Sequence, residues 1–302
     1  MAESKPARMR VLVSGASGFI GTELCRQLET DGHTVLRLVR RKPRTATEYE
    51  WSPAEQTINQ QAIESADAVI NLAGATTGRL PWTNGYKKEI LYSRVNGTRT
   101  VAEAITRSEH PPAVFLSGSA VGYYGDQPGV TLTEASHKGT GFLSDVVEAW
   151  ERAADLTPST TRLVKFRTGV VVGQGGAFTP LIPLTKFGLG ARFGSGKQHW
   201  PWISLHDEAA AIRHLLASSL SGVVNLAGPT PATSEQVTRA LAKALGRWHP
   251  FVVPEFALKA LGDAGNDQLL SSEVVEPVAL TNDGFEFRHD TVDAAIAAFI
   301  SR

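Results

Sequence analysis

Residues 11–24 read VLVSGASGFIGTEL, an apolar run that breaks into three spaced glycines and resumes with a helical pattern. The order strand, glycine turn, helix gives each glycine a separate reason to be there. Gly15 permits the tight turn, Gly18 lets backbone approach a pyrophosphate, and Gly21 lets the helix pack close to the sheet. The first turn of such a helix offers free N–H groups to phosphate oxygens. Gly15, Ser17, Gly18, Phe19, Ile20 and Gly21 are therefore expected to bind a dinucleotide.

Working outward, strand-like runs alternate with helical ones. RVLVSG (10–15), TVLRLV (34–39), DAVINLAG (67–74), AVFLSGS (113–119), LVKFRTGVVV (163–172) and GVVNLAGP (222–229) read as buried parallel strands. Helices are expected from residue 19 to a left-handed cap at Gly32, over about 83–108, and over about 143–155. This alternation predicts an α/β fold, a Rossmann-like doubly wound parallel sheet. After Gly173 the texture turns rich in Gly, Pro and aromatics, as in a long structured loop or binding lid. Residues 207–219 and 234–246 read as helices, 255–262 as a short one, and 289–300 as a terminal helix capped by Asp290 or Thr291. The expected division is a cofactor domain over 1–172, joined again by 205–229. A smaller mixed, loop- and helix-rich substrate-side subdomain takes 173–204 and 230–302.

With 302 residues and 42% hydrophobic content, the chain can bury a large core. Thirty Lys and Arg balance thirty Asp and Glu, which gives no reason to expect a nucleic-acid or membrane partner. No apolar run reaches the roughly 18 residues of a membrane span. The opening MAESKPARMR lacks the apolar core of a secretion signal and reads as a frayed lead-in. Cys25, the single cysteine, suits a reducing compartment, so a cytoplasmic location is expected.

The choice of dinucleotide turns on the end of the second strand. NAD sites carry an acid there, about 20 residues beyond the glycines, for the ribose 2′-hydroxyl. This chain has LVRRKPR, with Arg40 and Arg41 in that place and no acid before Glu48. Guanidinium forks suit a 2′-phosphate, so NADP is the expected cofactor. Leu72, Ala73 and Gly74, in NLAGA, end the next strand with small surfaces against which the adenosine half can lie.

These motifs, together with RLPWTNGYKKEILYSRVNGT, SGSAVGYYG, FLSDVVEAWERAA, FRTGVVVGQGGAF, FGLGARFGSGKQHWPWISLHDEA and LLSSEVVEPVALTNDGFEFR, resemble the extended short-chain dehydrogenase/reductases. The closest likeness is to their atypical "epimerase family protein" group, and it covers essentially the whole chain. In ordinary extended relatives a serine orients the substrate carbonyl, a tyrosine moves the proton, and a lysine four residues on lowers the tyrosine pKa. The resemblance puts the serine at Ser119. It puts the Tyr–Lys pair at Phe142 and Val146, or at Leu143 and Val147 after a one-residue shift, and neither register holds the pair. It further implies that the segment Arg167 to Val171 lies beside the nicotinamide, and that a homodimer forms through a helical bundle. Arg94 stands where relatives carry an Asn; Glu89, five residues earlier, is expected near the same helix face, with both reaching cofactor groups.

Which residue replaces the tyrosine is open at this level. Tyr124 follows Ser119 closely enough to point into the cleft and is the first candidate. His137 and Lys138 lie in a polar loop. His199, His206 and Asp207 are too widely spaced for a compact metal site, and Asp207 is expected to cap the helix that follows. Arg192 and Lys197 occupy the region that contacts a nucleotide-sugar in relatives. Two functions stay in view: an NADP(H)-dependent oxidoreductase or epimerase of unusual mechanism, acting on a carbonyl or sugar-nucleotide substrate, or a non-catalytic NADP(H)-binding sensor.

Overall fold

A computed structural model describes residues 8–301; most of the N-terminal lead-in lies outside the described residues. Eight strands form one sheet: β1 (Arg10–Ser14), β2 (Thr34–Val39), β3 (Glu48–Ser52), β4 (Thr57–Ile58), β5 (Ala68–Asn71), β6 (Val114–Ala120), β7 (Arg162–Thr168) and β8 (Gly222–Leu226). Their spatial order is β8-β7-β6-β5-β1-β2-β3-β4. Every pairing is parallel except that of β3 with β4. The chain moves outward from β1 on one side, then crosses to β5 and moves outward on the other. Between β1 and β5 lies the switch point, and the crevice beyond the strand ends there is where doubly wound sheets take ligands.

Both faces of the sheet are covered, which is why the strands read as unbroken apolar runs. On one face α1 (Phe19–Thr30) packs with α4 (Leu205–Ala217) over Val11, Val13, Ile70, Leu116, Phe166 and Val224. On the other, α2 (Asn84–Thr106) and α3 (Phe142–Ala154) pack together, the sheet contributing Leu12, Leu36, Val69 and Phe115.

The run expected as one strand over 163–172 is broken at Gly169, where a Cβ would lie 2.1 Å from the Pro201 carbonyl oxygen. Beyond it, Val170–Val172 leaves the main sheet and pairs with Trp202–Ser204. The β3–β4 hairpin was not visible in the sequence, because EYEWS carries no clean alternation. Val172, Phe178, Trp200 and Trp202 form a separate core with α5 (Ser234–Ala244) and α6 (Val292–Ile300). Thr291 caps α6. Asp207 does not cap α4: the cap is Ser204, and the Asp207 carboxylate instead accepts from the amides of Arg288 and His289, tying the C-terminal segment down.

Candidate functional site

The glycine turn shows why no other residue fits. Gly15 has φ +68°, and a Cβ on it would touch the Leu72 carbonyl at 3.0 Å. A Cβ on Gly21 would sit 2.1 Å from the Gly15 oxygen. The turn and the 72–74 loop thus touch across the switch point. Ser14 joins them, its hydroxyl receiving the amides of Leu72 and Ala73 and donating to Asn71. Asn71 continues to Thr98, which also receives the Trp150 indole N–H. One buried polar chain therefore ties the turn to α2 and α3, and fixes where the first amides of α1 point.

Ser17 and Gly18 are exposed, and Phe19 and Ile20 half-buried. Ser17, Gly18 and Phe19 line a cavity of about 570 Å³. Its far walls are the 172–175 segment, Leu205, His206 and the terminal helix, and the Phe19 ring lies under Gly173 and Gly175. The close-approach glycines, the exposed Gly18 and the unpaired amides of a helical first turn fit a bound pyrophosphate.

Arg40 and Arg41 are exposed at the end of β2. Arg40 makes no ion pair among the described residues. Arg41 is held in a fork by Glu48, with nitrogen–oxygen distances of 2.8 and 2.7 Å. That fork, with the Arg44 amide, pulls the Glu48 carboxyl down to about 2. The first acid after the end of β2 is therefore a partner of Arg41.

Arg94 and Glu89 do not converge. Five residues along a helix is a rotation of well over a quarter turn, and Glu89 faces solvent. Arg94 turns inward, donates to the carbonyls of Ala75 and Ile90, and lies 5.2 Å from the Trp150 ring centroid. Burial drags its guanidinium down to about 10. It supports the 72–75 loop from beneath, against Gly74. Val171 is 9% exposed and belongs to the apolar core.

The two expected catalytic residues are also turned inward. Ser119 is 3% exposed and donates its hydroxyl to Glu151 at 2.5 Å. Tyr124 is completely buried, and its hydroxyl donates to Asn225 Oδ1 at 2.7 Å. The expectation that Tyr124 faces the cleft is corrected: burial holds its phenol above the usual value, which suits a structural hydrogen bond. Arg167 is buried beside them, paired with Glu151 through Nε and Nη2 at 2.8 and 2.9 Å and stacked 3.5 Å from the Tyr123 ring centroid. Burial alone would lower the guanidinium; the Glu151 pair outweighs it and holds the group above its ordinary value. Ser119, Glu151 and Arg167 form one network locking α3 to β6 and β7, with Arg167 Nη1 left without a partner among the described residues.

At the head of α3 the space of the absent pair is occupied. Phe142 points back at α2, 5.5 Å from the Trp82 centroid and under the Lys87 ammonium, while Val146 and Val147 are buried. Leu143 lines a second cavity of about 450 Å³ between the ends of β6 and α3 and the C-terminal segment. Asp267 of that segment accepts from the Leu143 amide at 3.0 Å. Glu273 lines the same cavity, and burial pushes its carboxyl up to about 8. Glu208, wholly buried in α4, is pushed by burial to about 8 as well; Thr168 donates to one of its oxygens. Sequence reading missed both acids. The only trace of Glu273 is one charge inside LLSSEVV, and Glu208 reads as an ordinary first-turn helix acid. Arg192 lies 4.0 Å from Glu235.

Comparison with known proteins agrees with this geometry. Residues 11–227 match the NAD dependent epimerase/dehydratase family, and residues 253–299 match a domain of unknown function, DUF1731. The chain belongs to the NAD dependent epimerase/dehydratase family and has its NAD(P)-binding fold. It is 38% identical to an epimerase family protein of Mycobacterium leprae over 97% of this chain and 96% of that protein. The human epimerase family protein SDR39U1 is 34% identical over 97% of this chain and all of its own length. The crystal structure of that human protein (isoform 2) with NADPH has a TM-score of 0.89 at 32% identity, covering 97% of this chain and 99% of that one. MoeE5, solved with UDP-glucuronic acid and NAD, shares the fold at 22% identity and a TM-score of 0.78, over 97% of this chain and 98% of that one. Among the described residues, no helix is long and apolar enough to cross a membrane.

Proposed function

We propose that this protein binds NADPH and reduces a carbonyl compound held between the strand ends and the C-terminal segment. The observation that carries the cofactor choice is the pair Arg40 and Arg41 at the end of β2, beside the glycine turn, where an NAD site has an acid. Gly15, Ser17, Gly18, Phe19, Ile20 and Gly21 hold the pyrophosphate, and Leu72, Ala73 and Gly74 lie against the adenosine. Bound NADPH supplies hydride; the protein orients the acceptor, excludes water and delivers a proton. The human relative solved with NADPH supports this reading. So does the roomy cavity over Leu143, which a chain without a ligand has no reason to keep open.

The inward-turned Ser119 and Tyr124 favour a second reading, a non-catalytic NADP(H)-binding sensor. Titrating the protein with NADPH by fluorescence, then adding a panel of carbonyl compounds, separates the two. Turnover of any of them supports the reductase. Tight NADPH binding with no turnover across the panel transfers the assignment to the sensor.

A further inference from the structure

The cavity over Leu143 holds a group that the superfamily's usual chemistry does not use. Its walls bring Gly122, Leu143 and Ser144 from the cofactor domain against Asp267, Ser271 and Glu273 from the C-terminal segment. That segment is pinned in place: the Ser272 amide donates to Asp126, the Glu273 amide to the His199 carbonyl, and the Ser271 amide to the Asn266 carbonyl. Glu273 is only 6% exposed. One of its carboxyl oxygens accepts from the Ser271 hydroxyl at 3.0 Å. The other makes no hydrogen bond among the described residues and is not sealed off, so it is open to the cavity whose wall the residue forms.

The charges around it explain its state. Burial is the main cause of its raised affinity for a proton; Asp126 and Asp267 add to it, and the Ser271 hydroxyl works against it. The remaining charged side chains of the wall are Glu255 and Lys259, and these pair with each other at 2.6 Å. Among the described residues no unpaired cation lines the cavity, whereas Asp126, Asp267 and Glu273 all do, which disfavours a diphosphate there. A neutral carboxylic acid is an O–H donor, the role a tyrosine phenol otherwise fills.

We propose that Glu273 takes the place of the absent tyrosine, donating a hydrogen bond and then its proton to the oxygen of a carbonyl substrate that carries no phosphate. This rests on the reductase reading above. In the step, hydride from the reduced nicotinamide forms the new C–H bond at the carbonyl carbon. The π pair moves onto oxygen, the Glu273 O–H bond breaks, and the substrate O–H bond forms. Alcohol, oxidised nicotinamide and Glu273 carboxylate result, and water entering the cavity returns the proton.

The test is carbon-13 NMR of glutamate-labelled full-length protein, with the Glu273 carboxyl assigned through its own backbone and checked by Glu273→Gln. It is run with NADP+ bound and again without cofactor. The probes are dihydroxyacetone, a neutral hydroxyketone, and UDP-glucose, a diphosphate. The expected result is a Glu273 titration centred near pH 8 and a resonance that moves with dihydroxyacetone but not with UDP-glucose. Titration in the ordinary carboxylate range, indifference to dihydroxyacetone, or a response to UDP-glucose each overturns the proposal. NADPH affinity, measured separately by fluorescence, is expected to change less than roughly twofold in Glu273→Gln, because an interaction made only with substrate leaves cofactor binding alone. Failure of wild type to bind NADPH would remove the reductase reading, while the cofactor-free titration would still report on Glu273.

Discussion

Glu151→Gln isolates the network that holds α3 to the sheet. The substitution preserves shape and the acceptor for Ser119 but removes the carboxylate paired with Arg167, whose side chain is 3% exposed. Two charge-assisted hydrogen bonds, at 2.8 and 2.9 Å, lose their charge. Removing one partner of a buried pair typically costs about 3–5 kcal/mol, because the other charge is left without compensation. At roughly 2.1 cal/mol/K per residue of unfolding entropy, 302 residues give about 0.6 kcal/mol/K. A loss of about 4 kcal/mol then lowers Tm by roughly 6 °C, measurable by calorimetry or near-ultraviolet circular dichroism. Replacing both residues by methionine should restore most of this, since well-packed apolar groups commonly match a buried pair. A Tm within about 2 °C of wild type for Glu151→Gln would refute the reasoning, as would a double variant less stable than the single.

Further outcomes follow from other parts of the molecule. Gly21→Ala puts a methyl 2.1 Å from the Gly15 oxygen, so NADPH affinity by fluorescence should fall by on the order of 100-fold, or the protein should fail to accumulate folded. Glu48→Gln releases Arg41 from its fork and removes a negative charge near the 2′-phosphate, so NADPH should bind roughly threefold more tightly while NADH affinity stays constant. Glu208 has its folded pKa raised to about 8, so the native state holds its proton more firmly than the unfolded chain. Its contribution is intact below the ordinary carboxylate range, declines as pH rises from there, and is lost above about 8. Denaturant titrations across that window should show stability falling with pH in wild type and a flatter profile in Glu208→Gln.

The parts of the fold legible in the sequence were those fixed by local chemistry. Three spaced glycines between a strand and a helix leave few alternatives, and runs such as TVLRLV and AVFLSGS can only be strands buried on both faces. The end of α1 and the start of α2 were equally plain, because Gly32 and Thr83 punctuate them with a left-handed and a side-chain cap. What could not be read were contacts between distant residues. Nothing in SGSAVGYYG announces that Ser119 meets Glu151, or that Tyr124 meets Asn225, 101 positions away. Asn225 lies in the second NLAG, whose likeness to the first reflects two buried strand-end asparagines. The carboxylates of Asp267 and Glu273 were illegible for the same reason: their environment is made by a loop folding back over α3 from more than a hundred residues further on.

The cofactor claim is tested most directly by dissociation constants for NADPH and NADH, measured side by side for wild type and for the Arg40→Ala/Arg41→Ala protein. Wild type should prefer NADPH by on the order of 10- to 100-fold, the worth of charge-assisted bonds to a phosphate. The double variant should bring the two constants together by weakening NADPH alone. Equal constants in wild type, or a preference that survives loss of both arginines, would contradict the account.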